Sequence, residues 1–226
     1  MKYIIIGLGH FGSALAEKLA LRGHEVIGVD KSMDAVEAVK DKVTRAICLN
    51  AKDQEAVQSL PLRNADVVIV CIGEAEGENI MTTALLKKIG VKRLISRSVS
   101  PLHEDVLEAM GIHEILRPEI ENAERWAIKL STPGVLNLFE ITPDYQIIEL
   151  VVPPKFAGQT VAGIDFNHNY NVVVLTKIRM VKEKNMLGFA TDVLKAGEIV
   201  TGKTVLEADD IIVVYGHKED LQRLME

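Results

Sequence analysis

The sequence predicts an α/β fold: a Rossmann-like doubly wound parallel sheet in the first half, followed by a small α+β module in the second. Three observations carry this prediction. Short apolar runs alternate with helical patterns up to about residue 116. A glycine turn, Gly7-Leu8-Gly9-His10-Phe11-Gly12, directly follows the first run and directly precedes a helical pattern. Beyond the breaker cluster Ser131-Thr132-Pro133-Gly134 the alternation gives way to β-like runs separated by turns.

Taken in order, Tyr3–Ile6 reads as a strand and Phe11–Leu21 as a helix ending at Gly23. Glu25–Val29 is a second strand, followed by a helix over Ser32–Val39 with Ser32 as its N-cap. Ala46–Leu49 and Asp66–Ile72 supply a third and a fourth strand, and Asn79–Ile89 a helix closed by Gly90. Arg93–Ser96 is a fifth strand. Pro101–Met110 is a helix with proline at its start and Gly111 past its end, and His113–Leu116 is a sixth strand. Strand runs separated by helices imply a parallel sheet covered on both faces. Six of them in this alternation match the doubly wound dinucleotide fold.

Glu119–Leu130 reads as one more helix. The β-like runs beyond it are Leu138–Ile141, Ile147–Val152, Val172–Ile178 and Ile211–Tyr215, with turns at Pro153-Pro154 and Ala208-Asp209-Asp210, and Lys218–Met225 is a short last helix. The expected organisation is a nucleotide-binding domain over residues 1–118, a crossover helix and linker over 119–134, and a second domain over 135–226.

The 226 residues are 48% hydrophobic and 26% charged, an ordinary globular balance with room for two modest cores. A net charge of −6 argues against a basic nucleic-acid footprint and against adhesion to anionic lipid. No apolar run approaches bilayer length, and the opening MKYIIIGLG is too short for a secretory signal. Cys48 and Cys71 lie in apolar strand-like runs without metal-ligand spacing, so both read as core thiols of a reduced, cytoplasmic protein.

Chemistry concentrates at the glycine turn. Gly7 permits the tight turn, Gly9 lets backbone approach a pyrophosphate, and Gly12 allows close helix–strand packing. Amides at the helix start, aided by the helix dipole, form an anion site. Asp30 ends the second strand roughly 20 residues on, where an acid accepts both ribose hydroxyls of an adenosine. A carboxylate there repels a 2′-phosphate, which leaves NAD(H), AMP, ADP and ATP and disfavours NADP.

A catalytic set is harder to find. His103, His113 and His217 are general bases by residue type only, each in a charged helix or at a turn, and read as solvated histidines. Glu74, Glu76 and Glu78 read as a solvated acid run, although they follow the fourth strand near the expected crevice. A small NAD-dependent oxidoreductase is therefore the alternative to a non-enzymatic nucleotide sensor. A redox-sensing DNA-binding repressor would need a basic recognition helix, and the second half is acidic and strand-rich.

The turn and Asp30, with Asp66-Val67-Val68-Ile69-Val70, Asn79-Ile80-Met81 and Arg117-Pro118-Glu119, resemble the regulatory RCK (KTN/TrkA-type) domains. Ala157-Gly158-Gln159-Thr160-Val161, the Asp165–Asn171 turn and Leu206-Glu207-Ala208-Asp209-Asp210 resemble their C-terminal (TrkA-C) module. The resemblance covers nearly the whole chain and points to the cytosolic KtrA/TrkA-type subunits of bacterial potassium uptake systems. It implies a homo-oligomer, a ring of RCK dimers (an octamer), docked as a peripheral protein on the cytoplasmic face of a membrane potassium transporter. There a nucleotide, ATP and ADP or NADH and NAD, sets the gate.

Carried over by position, Gly7, Gly9, His10, Phe11 and Gly12 would line the phosphates, and Asp30 with Lys31 the ribose. Asn50 and Ala51 would flank the adenine, while Ile72, Gly73 and Glu74 would close the crevice with Asn79 beneath. Arg97 is a phosphate or inter-subunit contact, and Glu119 a ligand to a divalent cation. Many ATP-responsive relatives carry arginine in place of His10, which makes NAD(H), ADP or AMP the better expectation here. An aspartate commonly stands where this chain has Asn50. Relatives that bind cyclic di-AMP show Asp-x-Arg and Asn-Ile where this chain has Asp165-Phe166-Asn167 and Val173-Val174, which argues against that ligand.

Overall fold

The structure, a computed structural model, describes residues 1–132, 134–184 and 190–226. They form two compact units, Met1–Glu121 and Asn122–Glu226. The first contains β1 (Lys2–Ile6), α1 (His10–Leu21), β2 (Glu25–Asp30), α2 (Met33–Val39), β3 (Arg45–Cys48) and α3 (Gln54–Gln58). It continues through β4 (Val67–Val70), α4 (Glu76–Ile89), β5 (Leu94–Arg97), α5 (Pro101–Ala109) and β6 (Ile115–Leu116) into the start of α6 (Pro118–Ser131).

The strands of this unit lie in the order β3-β2-β1-β4-β5-β6, and every neighbouring pair is parallel. The doubly wound prediction is met. The chain leaves β1 toward one edge and returns beside it as β4, so the winding reverses between these two strands. A crevice opens outside the carboxyl ends of strands at such a point. Both central strands are apolar on both faces, as a sheet covered on each side requires. Ile4, Ile6, Val68 and Val70 pack into one core with Leu86 of α4, while Ile5, Val67 and Ile69 pack into the other with Ala16 of α1.

Local signals fix the helix ends. The Ser32 hydroxyl accepts from Ala35 N–H at the start of α2, and the Ser100 hydroxyl accepts from His103 N–H at the start of α5, where Pro101 follows. Gly90, at φ +79, closes α4 in the left-handed region that glycine adopts freely. Three details depart from expectation. Helix α3, capped by the Asp53 carboxylate, falls where no element was expected, and α4 begins at Glu76, three residues before Asn79. Of the two thiols only Cys71 is buried, and burial pushes it up to about 12; Cys48 is exposed and not a core residue.

The second unit holds β7 (Val135–Glu140), β8 (Tyr145–Val151), α7 (Val161–Ile164), α8 (Phe166–Tyr170), β9 (Val172–Lys184), β10 (Ala190–Ile199), β11 (Ile211–His217) and α9 (Lys218–Met225). Its sheet has the order β10-β9-β11-β8-β7 and is antiparallel throughout, an α+β module as expected. Ile148, Leu150, Ile212 and Val214 form its core with Phe156, Phe166, Leu206, Leu221 and Leu224. The segment expected as an Asp165–Asn171 turn is instead helix α8 between two left-handed residues, Asp165 at φ 48 and Asn171 at φ 54. Strand β10 is an addition to the expected set. The expected breaker Pro133 lies outside the described residues.

The Asp210 side chain, 4% exposed, anchors the approach to β11. It accepts from Lys177 Nζ at 2.9 Å, Arg179 Nε at 2.7 Å and Glu207 N–H at 2.9 Å. Burial disfavours the ionised form of Asp210, but Arg179, the Glu207 amide and Lys177 together hold its carboxyl below the ordinary carboxylate value. Its stabilising contribution is therefore complete above the unfolded-state value near 4 and is lost as the pH falls through the lower folded value. Asp210→Ala should destabilise the second unit by about 3 kcal/mol, because it strands a lysine and an arginine. Urea titration near pH 7 measures the loss, and the gap between wild type and variant should narrow as the solution is acidified below pH 4.

Candidate functional site

The turn between β1 and α1 depends on glycine at two positions. Gly7 sits at φ +99, and a Cβ there would lie 2.8 Å from Ile72 N. A Cβ on Gly12 would lie 1.9 Å from the Gly7 carbonyl oxygen, so α1 can approach its own turn only without a side chain. Gly9 differs: nothing stands within 4 Å of its would-be Cβ. It is also the N-cap of α1 and offers no side-chain cap. The open face at Gly9 therefore carries the unpaired amides and the positive end of a 12-residue helix. His10 is exposed beside it and Phe11 half-buried.

Asp30 ends β2 with its carboxylate turned onto this loop. Oδ2 accepts from Leu8 N–H at 2.6 Å and Oδ1 from Ser32 N–H at 2.8 Å. The acid thus braces the glycine turn against the start of α2. Next to it, Lys31 Nζ lies 3.0 Å from Glu78 Oε2, and Lys52 Nζ lies 3.4 Å from the same oxygen. Burial works against ionisation of Glu78, yet Lys31 and Lys52 hold it ionised and below its ordinary value. Asn50 is exposed and accepts from Lys52 N–H at 3.0 Å, while Ala51 is buried with its carbonyl accepting from the Thr82 hydroxyl at 3.5 Å.

Asn79 is fully buried and stitches the sheet ends together. Its Nδ2 donates to Ile72 O at 2.9 Å and to Arg97 O at 3.0 Å, joining the exits of β4 and β5. Its Oδ1 accepts from the Ser96 hydroxyl at 2.9 Å and the Thr83 hydroxyl at 3.3 Å, and lies 3.3 Å from His103 Nε2. Ile72 and Gly73 follow β4 half-buried, and Glu74 is exposed.

Arg97 completes the rim. Its guanidinium pairs with Glu119 on the first turn of α6 and lies over the Phe11 ring, 5.7 Å from the centroid. A Cβ on Gly73 would meet Arg97 Nη1 at 2.6 Å, so the guanidinium rests against bare backbone. Arg97 Nε is buried with no hydrogen-bond partner among the described residues. The arrangement offers an anion two things: the unpaired amides at the start of α1 and the cation of Arg97 at the rim.

The structure brings Gly7, Gly9, His10, Phe11, Gly12, Asp30, Ile72, Gly73 and Arg97 to the carboxyl ends of β1, β2, β4 and β5. Asn79 lies beneath, with no exposed surface of its own. Glu119, expected at a divalent cation, is held by Arg97, and the described residues contain no group of three His, Cys, Asp or Glu placed to hold a metal. Two expectations are corrected. His103 is 1% exposed, enclosed under Asn79, and burial lowers its affinity for a proton, so it is not a solvated histidine. Glu78 is likewise buried, although Glu74 and Glu76 in the same run are exposed. Thr83 and Ser96 were overlooked, and for Thr83, as for the burial of Glu78, there was one legible sign. Glu78, Asn79, Thr82 and Thr83 recur at helical spacing on the face of α4 that a core-facing helix would make apolar.

Fold and crevice together define a class: a doubly wound domain of the dinucleotide-binding type followed by a small antiparallel module. The TrkA-N domain family matches residues 3–118. The Ktr system potassium uptake protein C of Bacillus subtilis (strain 168) is 30% identical over 98% of this chain and 95% of its own length. The Ktr system potassium uptake protein A of Vibrio alginolyticus is 28% identical over 97% of this chain and 94% of its own. The chain belongs to the TrkA-N domain family, and its likeness to the Ktr potassium uptake proteins continues beyond that domain over nearly the full chain. Among solved structures, the GsuK channel bound to NAD superposes with a TM-score of 0.64 at 19% identity, over 99% of this chain. This chain spans only 38% of that one, and the likeness is one of fold.

The two kinds of glycine separate in a melting experiment. Gly12→Ala should lower the stability of the first unit by about 3 kcal/mol, since backbone and helix must part. Gly9→Ala should cost no more than about 1 kcal/mol, the scale of a changed N-cap residue, because its Cβ enters open space. Equal losses in the two variants would contradict the assignment of Gly9 to the open face.

Proposed function

We propose that this chain is a nucleotide-sensing regulatory subunit that gates a membrane potassium transporter of the Ktr/Trk type and catalyses no reaction of its own. The names of its full-length relatives, potassium uptake proteins, support the system, and an NAD-bound channel of the same fold supports the ligand class. The ligand is an adenine nucleotide, NAD(H), ADP, AMP or ATP. Its phosphates lie on the Gly9 amides beside His10, Phe11 and Arg97, its ribose at Asp30 and Lys31, and its adenine near Asn50 and Ala51. Ile72, Gly73 and Glu74 line the facing side, and Asn79 holds that side in place. His10 is shorter than arginine and lacks its fork of donors, which favours NAD(H), ADP or AMP over ATP.

The observation that carries the reading is the position of Arg97. One guanidinium serves both the rim of the crevice and Glu119, at the start of the helix that leads out of the first unit. A phosphate at the crevice competes with Glu119 for it. Occupancy of the site thereby changes the tether of α6, and by reciprocity the state of α6 changes the affinity for nucleotide. Glu119, once released, is a carboxylate ligand for a divalent cation beside the phosphates. The working form in this reading is a homo-oligomeric ring of RCK dimers, an octamer, peripheral on the cytoplasmic face of the membrane. Among the described residues no helix is long and apolar enough to cross a bilayer.

Potassium flux through the cognate transporter in proteoliposomes should change when the chain and an adenine nucleotide are added together. Flux indifferent to nucleotide would overturn the gating role. With divalent cations removed by chelation, Glu119→Gln should tighten nucleotide binding about threefold by removing an exposed competitor for Arg97. It should also blunt the flux response, and isothermal titration with flux measurement reads both.

A further inference from the structure

The Glu78 carboxylate is 5% exposed, yet the two ammonium groups on it belong to side chains 59% and 62% exposed, Lys31 and Lys52. The acid lies underneath, and two cations reach down to one of its oxygens from the surface. Lys31 directly follows Asp30, at the end of β2 where a basic residue in this fold accommodates a 2′-phosphate on the adenosine ribose. Lys52 comes from the loop after β3, on the same side of the sheet switch point. A chain that rejects the 2′-phosphate would not ordinarily place two lysines there. Glu78 reconciles the two facts.

We propose that Glu78 is a specificity-determining residue that withholds Lys31 and Lys52 from the ligand and so keeps the adenosine end of the crevice selective for an unphosphorylated 2′-hydroxyl. The inference rests on the nucleotide-binding reading and deepens it. With Glu78 ionised, Lys31 and Lys52 face carboxylates at Glu78, Asp30 and Glu74, and the subsite carries no net positive charge for a phosphate to exploit. Each lysine would have to break an ion pair over a buried carboxylate before it could turn to a ligand, and release of both would leave the acid without a counter-charge. Asp30 alone repels a 2′-phosphate only as one exposed-edge carboxylate whose oxygens are already engaged by Leu8 and Ser32 amides. The division of labour follows: Asp30 braces the turn and meets the ribose, and Glu78 disarms the cations beside it.

Glu78→Gln keeps the side-chain volume and one acceptor for a lysine while removing the charge that holds the pair. Isothermal titration of the full chain with NADH, NADPH, AMP and adenosine 2′,5′-bisphosphate tests the idea. Wild type should bind NADH and AMP and discriminate against both 2′-phosphorylated partners. In Glu78→Gln the NADH/NADPH and AMP/bisphosphate preferences should each fall about tenfold, the scale of one hydrogen bond to a charged group. Adding Lys31→Met and Lys52→Met together to that variant should restore the wild-type preference, which a merely structural role of Glu78 would not do. Unchanged preferences in a folded Glu78→Gln chain, with AMP or NADH still bound, would overturn the proposal and leave the nucleotide reading intact. Failure of wild type to bind any of the four would overturn that reading and the proposal with it. Should Glu78→Gln not fold, Glu78→Ser takes its place, and loss of the fold in both makes the carboxylate structural and ends the proposal.

Discussion

A guanidinium cannot shed its charge, and Arg97 carries one with its side chain only 15% exposed. The parts of the site are arranged around that constraint. Glu119 supplies a counter-charge, and the face of Phe11 supplies a cation–π surface. Gly73 supplies backbone without a Cβ, because any side chain there would strike the guanidinium. Asn79 fixes the Arg97 carbonyl and the Ile72 carbonyl from below, so the exits of β4 and β5 hold one spacing. The glycine turn, the sheet ends and the first turn of α6 thus converge on one cation, and its Nε still has no acceptor among the described residues.

Magnitudes then decide which partner Arg97 prefers. Its bond to Glu119 joins a largely enclosed cation to a carboxylate that is 63% exposed, a geometry worth about 1 kcal/mol or less. A phosphate on the amides of Gly9 would share the helix dipole as well as the guanidinium, and a charged hydrogen bond of that kind contributes about 1.5–3 kcal/mol. On these magnitudes a phosphate bound there would win, by an amount small enough for the occupancy of the site and the state of α6 to bias each other. The coupling needs no new machinery, since one donor group is shared by two acceptors.

Much of this was legible in the sequence, and the reason is steric. The positions of Gly7, Gly9 and Gly12 report local requirements of a strand–turn–helix, and Asp30 stands at a fixed distance along the next strand; such patterns survive in one dimension. The alternation of apolar runs with helical patterns likewise gave the doubly wound parallel sheet. What was not legible is burial of polar groups, which is a property of packing. His103, in a charged helix, read as solvated, yet it lies under Asn79; Cys48, in an apolar run, read as core, yet it is exposed. Glu78 is one of three acids in a short run, and only the helical phase of α4 turns it inward beneath two lysines. In the second unit β10 combines Thr, Asp, Lys, Ala and Gly, so neither its apolar content nor its period marked it as a strand.

The central claim is that nucleotide and Glu119 compete for Arg97. A crystal structure of the full chain with ADP, set beside one grown without nucleotide, tests it most directly. The account predicts a phosphate on the Gly9 amides and on the Arg97 guanidinium, with the carboxylate of Glu119 released from it. A nucleotide seated in the crevice with the Arg97–Glu119 pair undisturbed would contradict it.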